Sequence, residues 1–287
     1  MPESLSLTGG LAISVRARAL APGEAVRILV RAAGAGKGPN AVPAPPLASV
    51  SGTFLGEALS FEPVGSRGDW SAWTVVGFEE KPGSRPLVID AKEEGGGTRH
   101  ASRDVRIAAK SFPTERLTVK EQYVEPPPEV AERIAAESKR LGAIYAARTP
   151  TRLTGSPFTR PVPGEALGTF GARRILNDKP RSPHPGLDLR AAAGTPVHAA
   201  GPGRVVLASD LYFSGNTVIV DHGEGLFTLY AHLSRMDVHE GDVLARGDPV
   251  GLSGATGRVT GPHLHWGAKI GDRPFDPTAL LDRTLFE

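Results

Sequence analysis

Glycine and proline interrupt this sequence so often that long helices are nearly excluded: 35 glycines and 26 prolines make up about a fifth of 287 residues. Proline lacks the amide proton that a helix interior needs, and glycine loses the most entropy on being ordered. Together they confine regular structure to short runs between turns. Short strands meet that constraint. Hydrophobic residues at 40% and charged residues at 22% leave enough apolar surface for packed cores, and the length suits two domains. No apolar run reaches the 18 residues of a membrane span. The expected fold class is mainly β.

Residues 1–112 read as a β-sandwich-like domain, with strands over Ala25–Arg31, Ser51–Gly56, Trp73–Phe78, Pro86–Asp90 and Arg103–Ile107, separated by turns such as Glu94-Gly95-Gly96-Gly97. His100 stands alone beside a turn and carries no chemistry. Residues 113–154 form a linker that opens on Pro126-Pro127-Pro128 and holds one helix over 129–147. There Val130, Ile134, Leu141 and Tyr145 share a stripe, and Glu129 and Glu132 favour the first turn. The helix is expected to pack between the domains. From residue 155 to 287 glycine-punctuated strands return, and a small antiparallel β domain is expected.

The 33 cations, 25 of them arginine, are scattered among 31 acids for a net charge of +2. That is no nucleic-acid footprint. Cysteine is absent, which excludes disulfides, thiolate nucleophiles, redox pairs and sulfur-ligated zinc together. The opening Met1-Pro2-Glu3-Ser4-Leu5 lacks the basic and apolar regions of an export leader.

Seven of the eight histidines lie between residues 184 and 265. In His184-Pro185-Gly186-Leu187-Asp188 the prolines and glycine forbid a helix, so a tight loop feeding a strand is expected to bring His184 and Asp188 to one point. In His263-Leu264-His265 the two-residue period of a strand puts both imidazoles on one face and Leu264 in the core. The same period is expected to put Tyr230 and His232 on one face. Four histidines and an aspartate without sulfur suit catalytic zinc, which takes imidazole and carboxylate ligands and keeps three protein ligands plus water. Three ligands from these five would leave two histidines for proton transfer and oxyanion support in amide hydrolysis. His198, His222 and His239 are read as structural or surface residues.

The stretch from Gly155 to Pro277 resembles the lysostaphin-type zinc metallopeptidases, which cleave peptide cross-links of bacterial peptidoglycan. The resemblance rests on Phe170-Gly171-Ala172-Arg173-Arg174, His184-Pro185-Gly186-Leu187-Asp188-Leu189 and Gly194-Thr195-Pro196-Val197. It continues through Leu229-Tyr230-Ala231-His232-Leu233 and Gly251-Leu252-Ser253-Gly254-Ala255-Thr256-Gly257, ending at Thr260-Gly261-Pro262-His263-Leu264-His265-Trp266. It implies one zinc ion held by His184, Asp188 and His265. It also implies that His263 is the general base and that His232 orients water or supports the oxyanion. Where the family commonly has phenylalanine or tyrosine followed by an acid, this chain has Trp266 and Gly267, a departure expected to reshape the groove wall.

The function so implied is a zinc endopeptidase acting on peptidoglycan stem-peptide cross-links, exported to the periplasm or cell surface. No nucleic-acid partner is expected, and a protein regulator is not readable. A rival reading is a silent relative that binds the wall and activates wall amidases, but such relatives typically lack ligands and this chain keeps all five positions. A carrier-domain reading of the Gly-Asp turns near residues 241 and 247 fails, because the only lysines after residue 155 are Lys179 and Lys269, neither at a hairpin tip. The proline-rich stretch and the loop 151–163 offer a way to hold the first domain or the helix over the groove.

Overall fold

Turn-forming residues cut the chain into short strands, and the alternation of side chains within each strand decides which face is buried. The computed structural model describes residues 6–34, 44–65, 68–149 and 155–286. The opening residues 1–5 and residues 151–154 of the loop discussed above lie outside them. Among the described residues no helix is long and apolar enough to cross a membrane. The chain divides into two compact units, residues 1–110 and residues 111–286.

The first unit is a pair of antiparallel sheets. One is ordered Ser6–Thr8, Leu11–Arg16, Ala25–Ala32, Asp69–Val75, Glu62–Val64; the other is Glu57–Ser60, Leu47–Phe54, Gly83–Glu93, Thr98–Ile107. Ile13, Val15, Ile28 and Val30 of the first sheet meet Phe54, Leu87, Ile89 and Val105 of the second in a shared core. These are every-second residues, the inward face that a period of two requires. His100 lies exposed on Thr98–Ile107, its Nδ1 2.8 Å from Asp90 Oδ1.

The second unit is built on an antiparallel sheet in which Gly186–Leu189, Leu264–Ile270, Leu226–Met236, Gly215–Asp221 and Gly203–Leu211 lie in that order. Leu187, Tyr230 and Trp266 point to one face and are buried together. Phe227, Leu229 and Ile219 point to the other. The α-helix Ala131–Ala146 covers this second face: Leu141, Ile144 and the buried Tyr145 pack on Leu207, Leu211, Ile219 and Phe227. The Tyr145 and Phe227 rings meet edge to face at 5.4 Å.

The helix therefore belongs to the second unit and not to a spacer. Its apolar stripe was readable, but its target was not. The same holds for the start of residues 113–154. Thr114–Leu117 pairs in parallel with Arg173–Leu176, adding a strand to the second unit.

Candidate metal centre

His265 reaches the centre from Leu264–Ile270, the strand between Gly186–Leu189 and Leu226–Met236. Asp188 is its direct cross-strand partner, so both side chains rise from the same face, the one the helix covers further along. His184 precedes Gly186–Leu189. It is anchored by its own backbone, with its N–H donating to Ala172 O at 2.9 Å and its C=O accepting from Gly171 N at 2.9 Å. Pro185 and Gly186 turn the chain between them. A Cβ on Gly186 would lie 2.7 Å from Cε1 and Nε2 of His265 and from Trp266 O, so only glycine lets the His265 ring lie over this strand.

The result is a triangle of donor atoms. His184 Nε2 lies 3.1 Å from Asp188 Oδ1, His265 Nδ1 lies 2.8 Å from the same oxygen, and the two nitrogens are 3.0 Å apart. A tetrahedral zinc with bonds of about 2.0 Å has ligand atoms roughly 3.3 Å apart, a few tenths wider than this triangle. Two imidazoles and a carboxylate, each offering one atom to a common point, fit that ion. Burial opposes the Asp188 carboxylate's charge, yet hydrogen bonds from His184 and His265 hold its pKa far below the usual range. The site thus keeps the anion a cation would need. Burial, only partly offset by Asp188, pushes His265 down to about 4, so its ring is neutral at ordinary pH, the form that binds metal.

Asp188 uses its other oxygen differently. Oδ2 accepts from the Arg174 guanidinium at 2.9 Å. Arg174 in turn lies 3.8 Å from Glu115 Oε2, and Glu115 Oε1 accepts from Thr169 N–H at 3.1 Å. This chain fixes the carboxylate so that Oδ1 alone faces the histidines. Arg174 was quoted in the sequence motif without a role, and Glu115 was not singled out. Their signal lies in the pairing of Thr114–Leu117 with Arg173–Leu176, which a sequence does not display.

Two more imidazoles stand beside the triangle. His263 Nε2 is 3.6 Å from Asp188 Oδ1, and its Nδ1 lies 2.8 Å from Gly261 O. Leu264 is fully buried between the pair, as strand alternation requires. His232 lies tilted against His263 and edge-on to His265, with ring centroids 4.9 and 5.9 Å away. Its Nδ1 lies 2.8 Å from Thr256 O. A carbonyl can only accept, so in both rings Nδ1 is the protonated nitrogen and Nε2 is left as an acceptor. Burial, followed by electrostatic coupling to the neighbouring His265 and His263 rings, lowers His232 to about 3.

His232 arrives by a route that alternation does not predict. Tyr230 and His232 do not share a face. Tyr230 is buried with Trp266, its hydroxyl accepting from Ala200 N–H at 2.8 Å. Between them the strand bulges: Ala231 and His232 stand opposite the single residue Thr217, because Val218 pairs with Tyr230 while Asn216 pairs with Leu233. His232 takes φ +63°, a left-handed conformation uncommon for a residue with a side chain. The bulge turns its ring out of the core and toward His265.

The Trp266 departure also resolves differently from expectation. Trp266 is fully buried on the core face and forms no groove wall. Gly267 is the position on the metal face, where a Cβ would meet only Leu229 and, at 3.9 Å, His265.

Of the histidines set aside, His198 is exposed with Nδ1 3.0 Å from Gly247 O, and His239 is exposed on a turn. His222 occupies a turn, yet it is fully buried.

Residues 182–277 match the model of peptidase family M23. This stretch is an M23 peptidase domain. The M23 domain is similar to the peptidoglycan DD-endopeptidase ShyA of Vibrio cholerae, 45% identical over 106 residues, covering 37% of this chain and 25% of that protein. It is also similar to the DD-carboxypeptidase/endopeptidase Mpg of Neisseria meningitidis, 42% identical over 97 residues, 34% of this chain and 22% of that one. The matched stretch thus spans about a quarter of these relatives. Over 93% of this chain and 96% of the other, the fold resembles a crystal structure from Pseudomonas aeruginosa provisionally assigned to peptidase M23, at 27% identity and TM-score 0.64.

Proposed function

We propose that the chain is a zinc-dependent peptidoglycan endopeptidase, acting on stem-peptide cross-links after export to the periplasm or cell surface. The observation that carries the reading is the convergence of His184 Nε2, Asp188 Oδ1 and His265 Nδ1 on one point, with two further imidazoles turned toward it. The wall substrate is carried over from relatives named as peptidoglycan DD-endopeptidases.

His184, Asp188 and His265 would hold the ion. Bound there, zinc supplies a Lewis acid that makes water nucleophilic near neutral pH and polarises a peptide carbonyl. His263 is the general base. Gly261 O fixes its Nδ1–H, so Nε2 is free to take the proton of the attacking water. His232 is held the same way by Thr256 O, so in its neutral form it too offers Nε2 only as an acceptor. Its role is then to receive a hydrogen bond from the same water and aim it. Oxyanion support, the other role implied by the family, would require a second proton on that ring.

The test is mass spectrometry of peptidoglycan fragments incubated with the zinc-loaded chain, with and without chelator. Chelator-sensitive loss of cross-linked dimers with a matching gain of monomers is expected, and the product masses identify the bond. His263→Ala should slow turnover about 10²–10⁴-fold while keeping zinc, whereas His184→Ala and Asp188→Ala should lose zinc. Full zinc occupancy with intact dimers would refute the peptidase reading and favour the amidase-activator one.

A further inference from the structure

We propose that Arg258 binds a free carboxylate on the substrate peptide and so selects substrates carrying one close to the scissile bond. The inference rests on the endopeptidase reading and deepens it.

Arg258 sits in the loop that positions both free imidazoles, since Thr256 O holds His232 and Gly261 O holds His263. The loop is pinned at its middle, with Arg258 N–H donating to Phe213 O at 2.8 Å. The guanidinium lies over the Phe213 ring, 5.0 Å from its centroid, and lines one small cleft of about 40 Å³ with Asp188, His232, His263 and Arg174. Phe213 backs the guanidinium on one side, and the cleft lies beside it.

The charge balance around this cleft is lopsided. Arg174 is matched by Asp188 and Glu115. Among the described residues no carboxylate pairs with Arg258, although it is half-buried. Desolvation, with Arg174 and Arg181 nearby, pushes its pKa below the usual arginine value, the mark of a cation lacking an anion. The Phe213 ring stabilises the cation but cannot neutralise it, and a half-buried charge without an anion is unfavourable. A carboxylate would complete the site, because the rigid fork of the guanidinium accepts its two oxygens side by side. Cross-linked stem peptides are peptides with free carboxylates, so the substrate class can supply the missing charge. Lysine, a point charge without the fork, would replace arginine poorly.

The experiment uses the zinc-loaded full chain. Its probes are the disaccharide tetrapeptide released from peptidoglycan, with its carboxylates other than the terminal one left as free acids or converted to carboxamides, with affinities from titration calorimetry. Turnover of cross-linked dimers is measured in parallel. Wild type should bind the acid at least 10-fold more tightly than the amide. Arg258→Met should bind both alike, and Arg258→Lys should recover only part of the preference, with zinc content unchanged in each. Equal binding of acid and amide by wild type, or preference retained in Arg258→Met, overturns the inference. If dimers stay intact but the acid preference depends on Arg258, the hydrolytic reading falls and the inference stands. If dimers are cut without acid preference the reverse holds, and a chain that neither binds nor cuts removes both. Should Arg258→Met fail to fold, the drop in preference in Arg258→Lys decides the matter.

Discussion

Replacing His222 by glutamine should remove the share of the second unit's acid sensitivity that this one histidine carries. His222 is fully buried, with Nδ1 2.6 Å from Pro202 O and Nε2 2.7 Å from Thr228 Oγ1. Thr228 Oγ1 lies 3.2 Å from the Tyr230 hydroxyl, which accepts from Ala200 N–H. The protons therefore run one way: His222 Nδ1–H to Pro202, Thr228 O–H to His222 Nε2, Tyr230 O–H to Thr228. A second proton on His222 would meet the threonine hydrogen and break the chain. Burial lowers its pKa from about 6.5 to about 4, only partly offset by the Pro202 carbonyl. The unfolded chain thus binds a proton that the fold refuses. Stability is fully present above pH 6.5, falls as pH drops through the window 6.5 to 4, and levels off below it. The loss is about 2 kcal/mol at pH 5 and about 3 kcal/mol below pH 4. Glutamine can donate to Pro202 and accept from Thr228, so its cost at pH 8 should be about 1–2 kcal/mol. By pH 5 the gap to wild type should close. His232 and His265 also titrate in the metal-free chain, but they do so in both proteins and cancel in the difference. Urea unfolding of the metal-free chain at pH 8 and pH 5, followed by tryptophan fluorescence, measures it. Trp266 reports the second unit, while Trp70 and Trp73 report the first. A wild-type advantage of the same size at both pH values would refute the reasoning.

Two further substitutions probe the metal centre. Arg174→Met should weaken zinc binding about 10–100-fold by releasing Asp188 Oδ2, as competition with a chromogenic chelator would register; unchanged affinity would mean that Asp188 is held without Arg174. Gly186→Ala should push the His265 ring out of the triangle, because the new methyl would lie 2.7 Å from two of its ring atoms. Zinc stoichiometry near one per chain in that variant would count against the close approach.

How much of this was legible in the sequence depends on what sets each position. His263 and His265 follow from strand alternation alone, and Leu264 is buried between them as that period demands. Asp188 and His184 follow from residues that forbid a helix and force a turn into a strand. His232 does not follow. Alternation assigns it to the core with Tyr230, and it reaches the site only through a bulge at Ala231 and His232 that no glycine or proline announces. A left-handed histidine is held there by its N–H donating to Ser214 O at 2.9 Å and by Nδ1 donating to Thr256 O, both distant in sequence. Arg174 is hidden for a related reason: two adjacent arginines share a motif, and only the pairing of their strand decides that the second one faces Asp188.

The stretch read as linker shows the same limit from the packing side. Its proline run and its amphipathic helix were both visible, but an apolar stripe states only that something is covered. Here it covers Phe227, Ile219 and Leu211, on the sheet face that carries His265 at its other end. Lys269 Nζ lies 4.1 Å from the Tyr145 ring centroid on that face. Leu117 and Val119, which follow from the added strand Thr114–Leu117, line the cleft beside Asp188, His232 and Arg258. A truncation at residue 150 would therefore remove a strand, a covering helix and two cleft residues from the second unit together. It cannot separate regulation from stability. A cut after Lys110 respects the observed unit and leaves Glu115 to hold Arg174 against Asp188, so it is the boundary at which a regulatory role for the first unit becomes testable.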